Sequence, residues 1–426
     1  MKIHFRNGRV IDPMNARDKV TDLFVAAGKI VSIGQQPADF HANRTLDASG
    51  LIVCPGLIDL SVRLREPGCE YKATLETEML AAAAGGVTSL ACPPDTDPPL
   101  DEPGLVEMLK FRAKHLPGPR LYPIGALTQK LEGKMITEMA ELTEAGCRAF
   151  TQADAPMVDN HVLLHAMEYA ATFGFSLWLR PQDVSLAQNG VAHDGAVASR
   201  LGLPGIPALA ETVALATILQ LARATGARVH LMRLSTREGI AMVRAAKAQG
   251  LAVSCDVAMA HVHLSENDLV SFDSNLHLIP PLRGLRDRDG IREALRDGSI
   301  DALCSDHTPV DENEKQVPFG ESAPGASGVE LLLPLTLKWA REMGVPLIKA
   351  LDLITWTPAQ ILGVPGGNLS IGSCADICVF DEHAEWVVTP KSLFSQNDNT
   401  PFLNHPMQGR VRYTLIDGHL DFESAH

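Results

Sequence analysis

The sequence predicts an α/β protein: a (β/α)8 barrel of TIM type carrying a small discontinuous β-sandwich domain made by both chain ends. Three observations lead there. Short apolar runs alternate with helical patterns through the middle of the chain, as repeated βα units do. The first fifty and last sixty residues read instead as strands separated by Asp, Gly and Pro. The middle, about 310 residues, has the size expected of a closed barrel. The expected division is therefore 1–52 with 366–426 for the β domain and 53–365 for the barrel.

Taken in order, KIHFRNGRVID, DLFVAAGKIVSIG and TLDASGLIVCPG open the chain, with Asn7-Gly8 and Gly28 fitting hairpin turns. Eight barrel strands follow: GLIDLSV, VTSLACP, RLYPIGAL, CRAFTQ, FSLWLRP, RVHLMRLS, AVSCDVAM and IDALCSDH. TLETEMLAAAAGG, ETVALATILQLARATG and TREGIAMVRAAKAQG are helical stretches between them, closed by glycine as helix C-termini commonly are. ADICVFD, EWVVTP and VRYTLIDGHLDF return to strand character. Two segments after barrel strands, 188–207 and 311–328, read as loops at the face where barrels build their sites; the plain reading of the second is a mobile surface lid without chemistry.

Composition narrows the function. A net charge of -14 opposes nucleic acid and anionic membrane surfaces as partners. The N-terminus lacks the basic-then-apolar pattern of a signal peptide, and no run approaches the roughly 18 apolar residues of a membrane span. A soluble cytoplasmic protein is expected. Eight scattered cysteines without a C-x-x-C pair suit reduced core thiols rather than a disulfide or zinc framework.

The segment PGLIDLSVRLREPG, residues 55–68, resembles the opening strand of cyclic amidohydrolases, and REPG points to the dihydroorotase branch. NLHLIPPLRG, PFG followed by GASGVE, WTPAQILG and GSCADICVFD extend the resemblance along nearly the whole chain. In that family a His-x-His pair on the first strand holds zinc, since residues i and i+2 of a strand share a face. Ser61 and Arg63 occupy those positions here. The family's Asp-Asp-Gly after strand four corresponds to Gln152-Ala153-Asp154, and its histidine closing strand five to Arg180. The His-x-x-His motif of strand six keeps His230 but has Arg233 in second place, while Asp306 stands where the family has its strand-eight aspartate. Of the family's three substrate-carboxylate contacts, Arg65 remains, and Asp95 and Val310 replace the other two.

What the resemblance implies is a fold without its chemistry. Zinc is expected to be absent, and Asp306, Asp95 or Asp154 to pair with the arginines and fill the former metal cavity. Zinc-free dihydroorotase relatives imply a partner, the aspartate transcarbamoylase catalytic chain, in an assembly of six plus six chains. An active dihydroorotase or other cyclic amidohydrolase with an atypical metal site is the competing expectation. His261 and His263 form a further H-x-H, read as ordinary polar packing beyond strand seven. An anion sensor built on Arg65 and the arginine-rich mouth is a third reading.

Overall fold

In the computed structural model, which describes residues 1–157 and 159–424, eight strands from both chain ends lie in one sheet. Lys2–Asp12 pairs antiparallel with Arg17–Ala26 and parallel with Arg44–Asp47 and Ile52–Pro55. Ile52–Pro55 then pairs antiparallel with Ile377–Val387, setting Cys54 opposite Cys378 and joining the beginning of the chain to its end. Ile3, Phe5, Val25, Ile377 and Leu415 make an apolar core of their own beside this sheet.

Gly28 lies in a hairpin turn, with φ of 74° between the antiparallel strands Arg17–Ala26 and Lys29–Ile33. Asn7-Gly8 does not. Lys2–Asp12 runs through it as one strand with a bulge, and the turn comes later, where the Ala16 N–H donates to Pro13 O at 3.1 Å. Gly8 is required by close approach instead: a Cβ there would meet Val53 Cγ2 at 2.7 Å.

The eight barrel strands are Leu57–Asp59, Val87–Cys92, Arg120–Pro123 continued by Gly125–Ala126, Phe150–Thr151, Ser176–Leu179, Arg228–Leu231, Val253–Ala258 and Ala302–Cys304. Neighbours pair in parallel in chain order. The ring closes where Arg63 N–H donates to His307 O at 2.9 Å and His307 N–H to Ser61 O at 3.0 Å. Ile58, Ala91, Ile124, Ala149, Trp178, Met232, Ala258 and Cys304, each in or directly beside one of the eight strands, pack in one apolar cluster, as a shared barrel interior allows.

Helix boundaries follow local chemistry. Thr74 caps Leu75–Ala84 through a capping box, Thr236 Oγ1 accepts from the Gly239 N–H to start Arg237–Ala248, and left-handed Gly226 ends Leu209–Thr225. Segment 188–207 is more ordered than a loop: Ala192–His193 pairs with Gly205–Ile206 around the helix Ala196–Leu201. Segment 311–328 is anchored rather than a free lid, with buried Lys315 donating to Ser274 O at 2.9 Å and Thr308 N–H to Ala326 O at 2.8 Å. Six of the eight cysteines are buried and all are free thiols, Cys69 being half-buried and Cys374 exposed. No helix among the described residues is long and apolar enough to cross a membrane.

Candidate functional site at the barrel mouth

The strands end just before the residues that matter. Arg180 follows Ser176–Leu179 directly; Asp154, Arg233 and Asp306 come two or three residues beyond their strands. Four of the turns into the mouth hold non-glycine residues in the left-handed region: Arg65 (φ 62°), Ala153 (φ 51°), Arg233 (φ 52°) and Asp306 (φ 50°). Such backbone carries strain of about 1 kcal/mol or more per residue and collects where barrels build sites.

Arg63, Arg180 and Arg233 converge there on Asp95, Asp154 and Asp306. Arg63 donates from Nε to Asp95 Oδ2 at 2.6 Å, from Nη2 to Asp154 Oδ2 at 2.7 Å, and from Nη1 to Asp306 Oδ1 and Thr308 Oγ1 at 3.2 and 3.0 Å. Arg233 reaches Asp154 Oδ1 at 2.6 Å, Asp306 Oδ1 at 2.9 Å and Ile279 O at 3.2 Å. Arg180 Nε lies 2.7 Å from Asp154 Oδ1, an ion pair whose N–H is not aligned for a hydrogen bond. Its Nη1 donates to Gln182 Oε1. Ser61 Oγ donates to Asp306 Oδ1 at 3.2 Å, so Ser61 and Arg63 do reach one centre, as their i, i+2 spacing predicts.

The electrostatics follow from this crowding. Burial opposes charge on Asp154, yet Arg233, Arg63 and Arg180 outweigh it and hold the carboxyl well below the usual range. Asp306 shifts the other way: burial, helped by the charge of Asp154, raises it against the pull of Arg233 and Arg63. Burial lowers the Arg180 guanidinium, Asp154 opposing, whereas on Arg233 the two carboxylates win and the shift is strongly upward. Three buried cations facing three carboxylates thus form a network that is neutral when all three acids are ionised. A guanidinium has no lone pair to offer a metal. Among the described residues no group of three or more His, Cys, Asp or Glu is placed to hold a metal ion.

The predicted substrate-contact positions part company. Asp95 belongs to the ion network through Arg63. Arg65 donates from Nε to Pro309 O at 2.8 Å, and burial together with Arg63 lowers its pKa. Val310 is buried, its N–H donating to Asn399 Oδ1 at 3.1 Å. A cavity of about 610 Å3 opens beside the network, reaching Asp154 and Arg180 from Met157, Leu163, Asn189 and Ile218.

The remaining histidines stay outside. His261 and His263 sit on the short helix Met259–His263, where i and i+2 do not share a face. Their Nε2 atoms meet Pro280 O and Leu335 O at 3.0 Å, and burial lowers both pKa values to about 4. His230 is held between Ser254 Oγ at 2.8 Å and Asp256 Oδ2 at 3.0 Å. His307, beside Asp306, turns away to Glu78 Oε2 at 2.7 Å, and Glu78 also accepts from Ser395 Oγ at 2.7 Å. Sequence reasoning did not place Thr308, Gln182 and Ile279 O in the network. Thr308 and Gln182 each lie two residues from a named position, the one available signal; the Ile279 carbonyl gives none.

A family model described as Dihydro-orotase-like matches residues 50–239. A dihydroorotase-like protein of Pseudomonas aeruginosa is 46% identical over 423 residues, covering 99% of this chain and 100% of that protein. The chain belongs to the dihydroorotase-like family. A dihydroorotase-like protein of Pseudomonas putida is 44% identical, covering 99% of each chain. A protein of Geotalea daltonii named dihydroorotase is 39% identical, covering 98% of each. Among solved structures, the L-hydantoinase of Arthrobacter aurescens superposes with a TM-score of 0.89 at 21% identity, covering 100% of this chain and 96% of that one. This last likeness is one of fold alone.

Proposed function

We propose that this chain is a non-catalytic dihydroorotase homologue, acting in the cytoplasm as a structural subunit of an aspartate transcarbamoylase assembly for pyrimidine biosynthesis. Six copies would join six catalytic chains, with no part played by nucleic acid or membrane. The observation that carries the reading is the Arg63–Arg180–Arg233 network with Asp154 and Asp306 at the family's metal-ligand positions. Zinc does not fit this donor set. It would have to take Asp154 and Asp306 from three guanidiniums, and each unit-charge repulsion at 4 Å costs about 4 kcal/mol at an effective dielectric of 20. Without zinc there is no bound water titrating near 7, and hence no hydroxide for ring opening at neutral pH.

A preserved scaffold then has its value in its surfaces. The relatives at 46% and 44% identity, named only dihydroorotase-like, are consistent with this. The competing reading, an active dihydroorotase or other cyclic amidohydrolase with an atypical metal site, draws on the Geotalea relative named dihydroorotase. Co-expression with the aspartate transcarbamoylase catalytic chain, followed by sizing and assay, tests the subunit role. The expected result is one complex with equal numbers of the two chains, whose transcarbamoylase activity or assembly falls when this chain is withheld. A transcarbamoylase that assembles and works equally well alone, with no complex formed, contradicts it.

A further inference from the structure

The helix after barrel strand four, Asn160–Phe173, carries His161 and His165 one turn apart on its exposed side. Their Nε2 atoms lie 3.0 Å apart, with the rings nearly perpendicular at 74°. His165 presents its other nitrogen, Nδ1, to Glu168 Oε2 at 3.1 Å. A carboxylate accepting from Nδ1–H fixes the tautomer and leaves a lone pair on Nε2, the arrangement that supports metal-ligating imidazoles elsewhere. Two nitrogens this close leave room for a single proton between them, or a single cation.

We infer that His161 and His165 form an exposed binding site for a divalent transition-metal ion, Cu(II) foremost. The 3.0 Å separation is short enough for one ion to reach both nitrogens at metal–nitrogen bonds of about 2.0–2.1 Å. For imidazole ligands the general affinity order of divalent ions places Cu(II) first. The first turn of a helix is a mildly unfavourable place for a cation, which Glu168 and Asp159 offset; Asp159 itself caps the helix, Oδ1 accepting from the His161 N–H at 2.8 Å. Side-chain exposures of 51% for His165 and 54% for Glu168 leave the other coordination positions to solvent. The site uses none of the residues of the ion network and is independent of whether the chain is catalytic.

The test titrates Cu(II) into untagged, chelator-treated protein and into His161→Ala, His165→Ala and Glu168→Gln, with calorimetry and electron paramagnetic resonance as readouts. Wild type is expected to bind Cu(II) with two imidazole nitrogens in the spectrum, ahead of Ni(II) and Zn(II). Each histidine variant should bind about 100-fold more weakly, since the second ligand acts at high effective concentration, and Glu168→Gln about tenfold more weakly. All three positions are exposed, and metal-free thermal unfolding of the variants checks that the helix is kept. Affinities unchanged in both histidine variants, or a spectrum with one nitrogen in wild type, overturn the site.

Discussion

Along the same eight strands, two layers of the barrel interior are made of opposite materials. The lower layer is apolar, with Trp178 fully buried against Ile58, Met232, Cys304 and their neighbours. A few residues further on, the upper layer is ionic, with Arg63 and Arg233 almost equally buried but surrounded by carboxylates. The lower layer is held by volume: apolar side chains of the right shape serve. The upper layer is held by balance, because a buried charge that loses its partner is far more costly than a pair replaced together. A barrel can therefore carry buried charges at its mouth provided they come as a matched set.

The largest expected effect lies in the apolar layer. Trp178→Ala should cost about 3–5 kcal/mol in denaturant unfolding, the transfer energy of the ring plus its cavity, and no second substitution in the ionic layer should restore it. Arg233→Met should cost about 3 kcal/mol or more, because Asp154 and Asp306 lose a shared cation. Adding Asp306→Asn should recover about 1–3 kcal/mol of that loss, the coupling expected of groups in one network. Strict additivity of the pair would show that the two layers do not differ in kind.

The smallest effect is a slope with pH. Asp154 is held well below its unfolded value, so its contribution to stability is present above about pH 4 and is lost as pH falls towards its folded value. Asp306, raised by burial, contributes with the opposite sign. Between pH 4 and 3, wild type should lose up to about 1.4 kcal/mol more than Asp154→Asn does. Parallel pH profiles for the two proteins would remove Asp154 from the ionised network.

Most of the barrel was legible in the sequence because most of its strands are short, largely buried, apolar-rich runs, and such runs need no partner to be recognised. The convergence of Arg63, Arg180 and Arg233 was legible for a related reason: strand ends of a barrel share one mouth, so residues at corresponding places meet. The expectations that failed concern turns and loops, where tertiary contacts override local composition. Asn7-Gly8 has the composition of a hairpin turn, but Val53 packs against Gly8 and the chain runs on as a bulged strand. The 188–207 and 311–328 segments look like loops by composition, yet tertiary contacts at Ile206, Lys315 and Ser327 give them fixed places. The pairing of His307 with Glu78 joins residues 229 positions apart, and nothing in spacing or periodicity signals a contact at that range.

The mouth holds a self-neutralised arginine–aspartate network at the positions where the family resemblance implies zinc ligands. The most direct measurement is the zinc content and turnover of purified protein carrying His161→Ala and His165→Ala, so that the exposed histidine pair contributes no metal. After dialysis in the presence of zinc, the predicted result is no stoichiometric zinc and no interconversion of carbamoyl aspartate and dihydroorotate. One or two zinc ions retained per chain, together with turnover that Asp306→Asn abolishes, would contradict it.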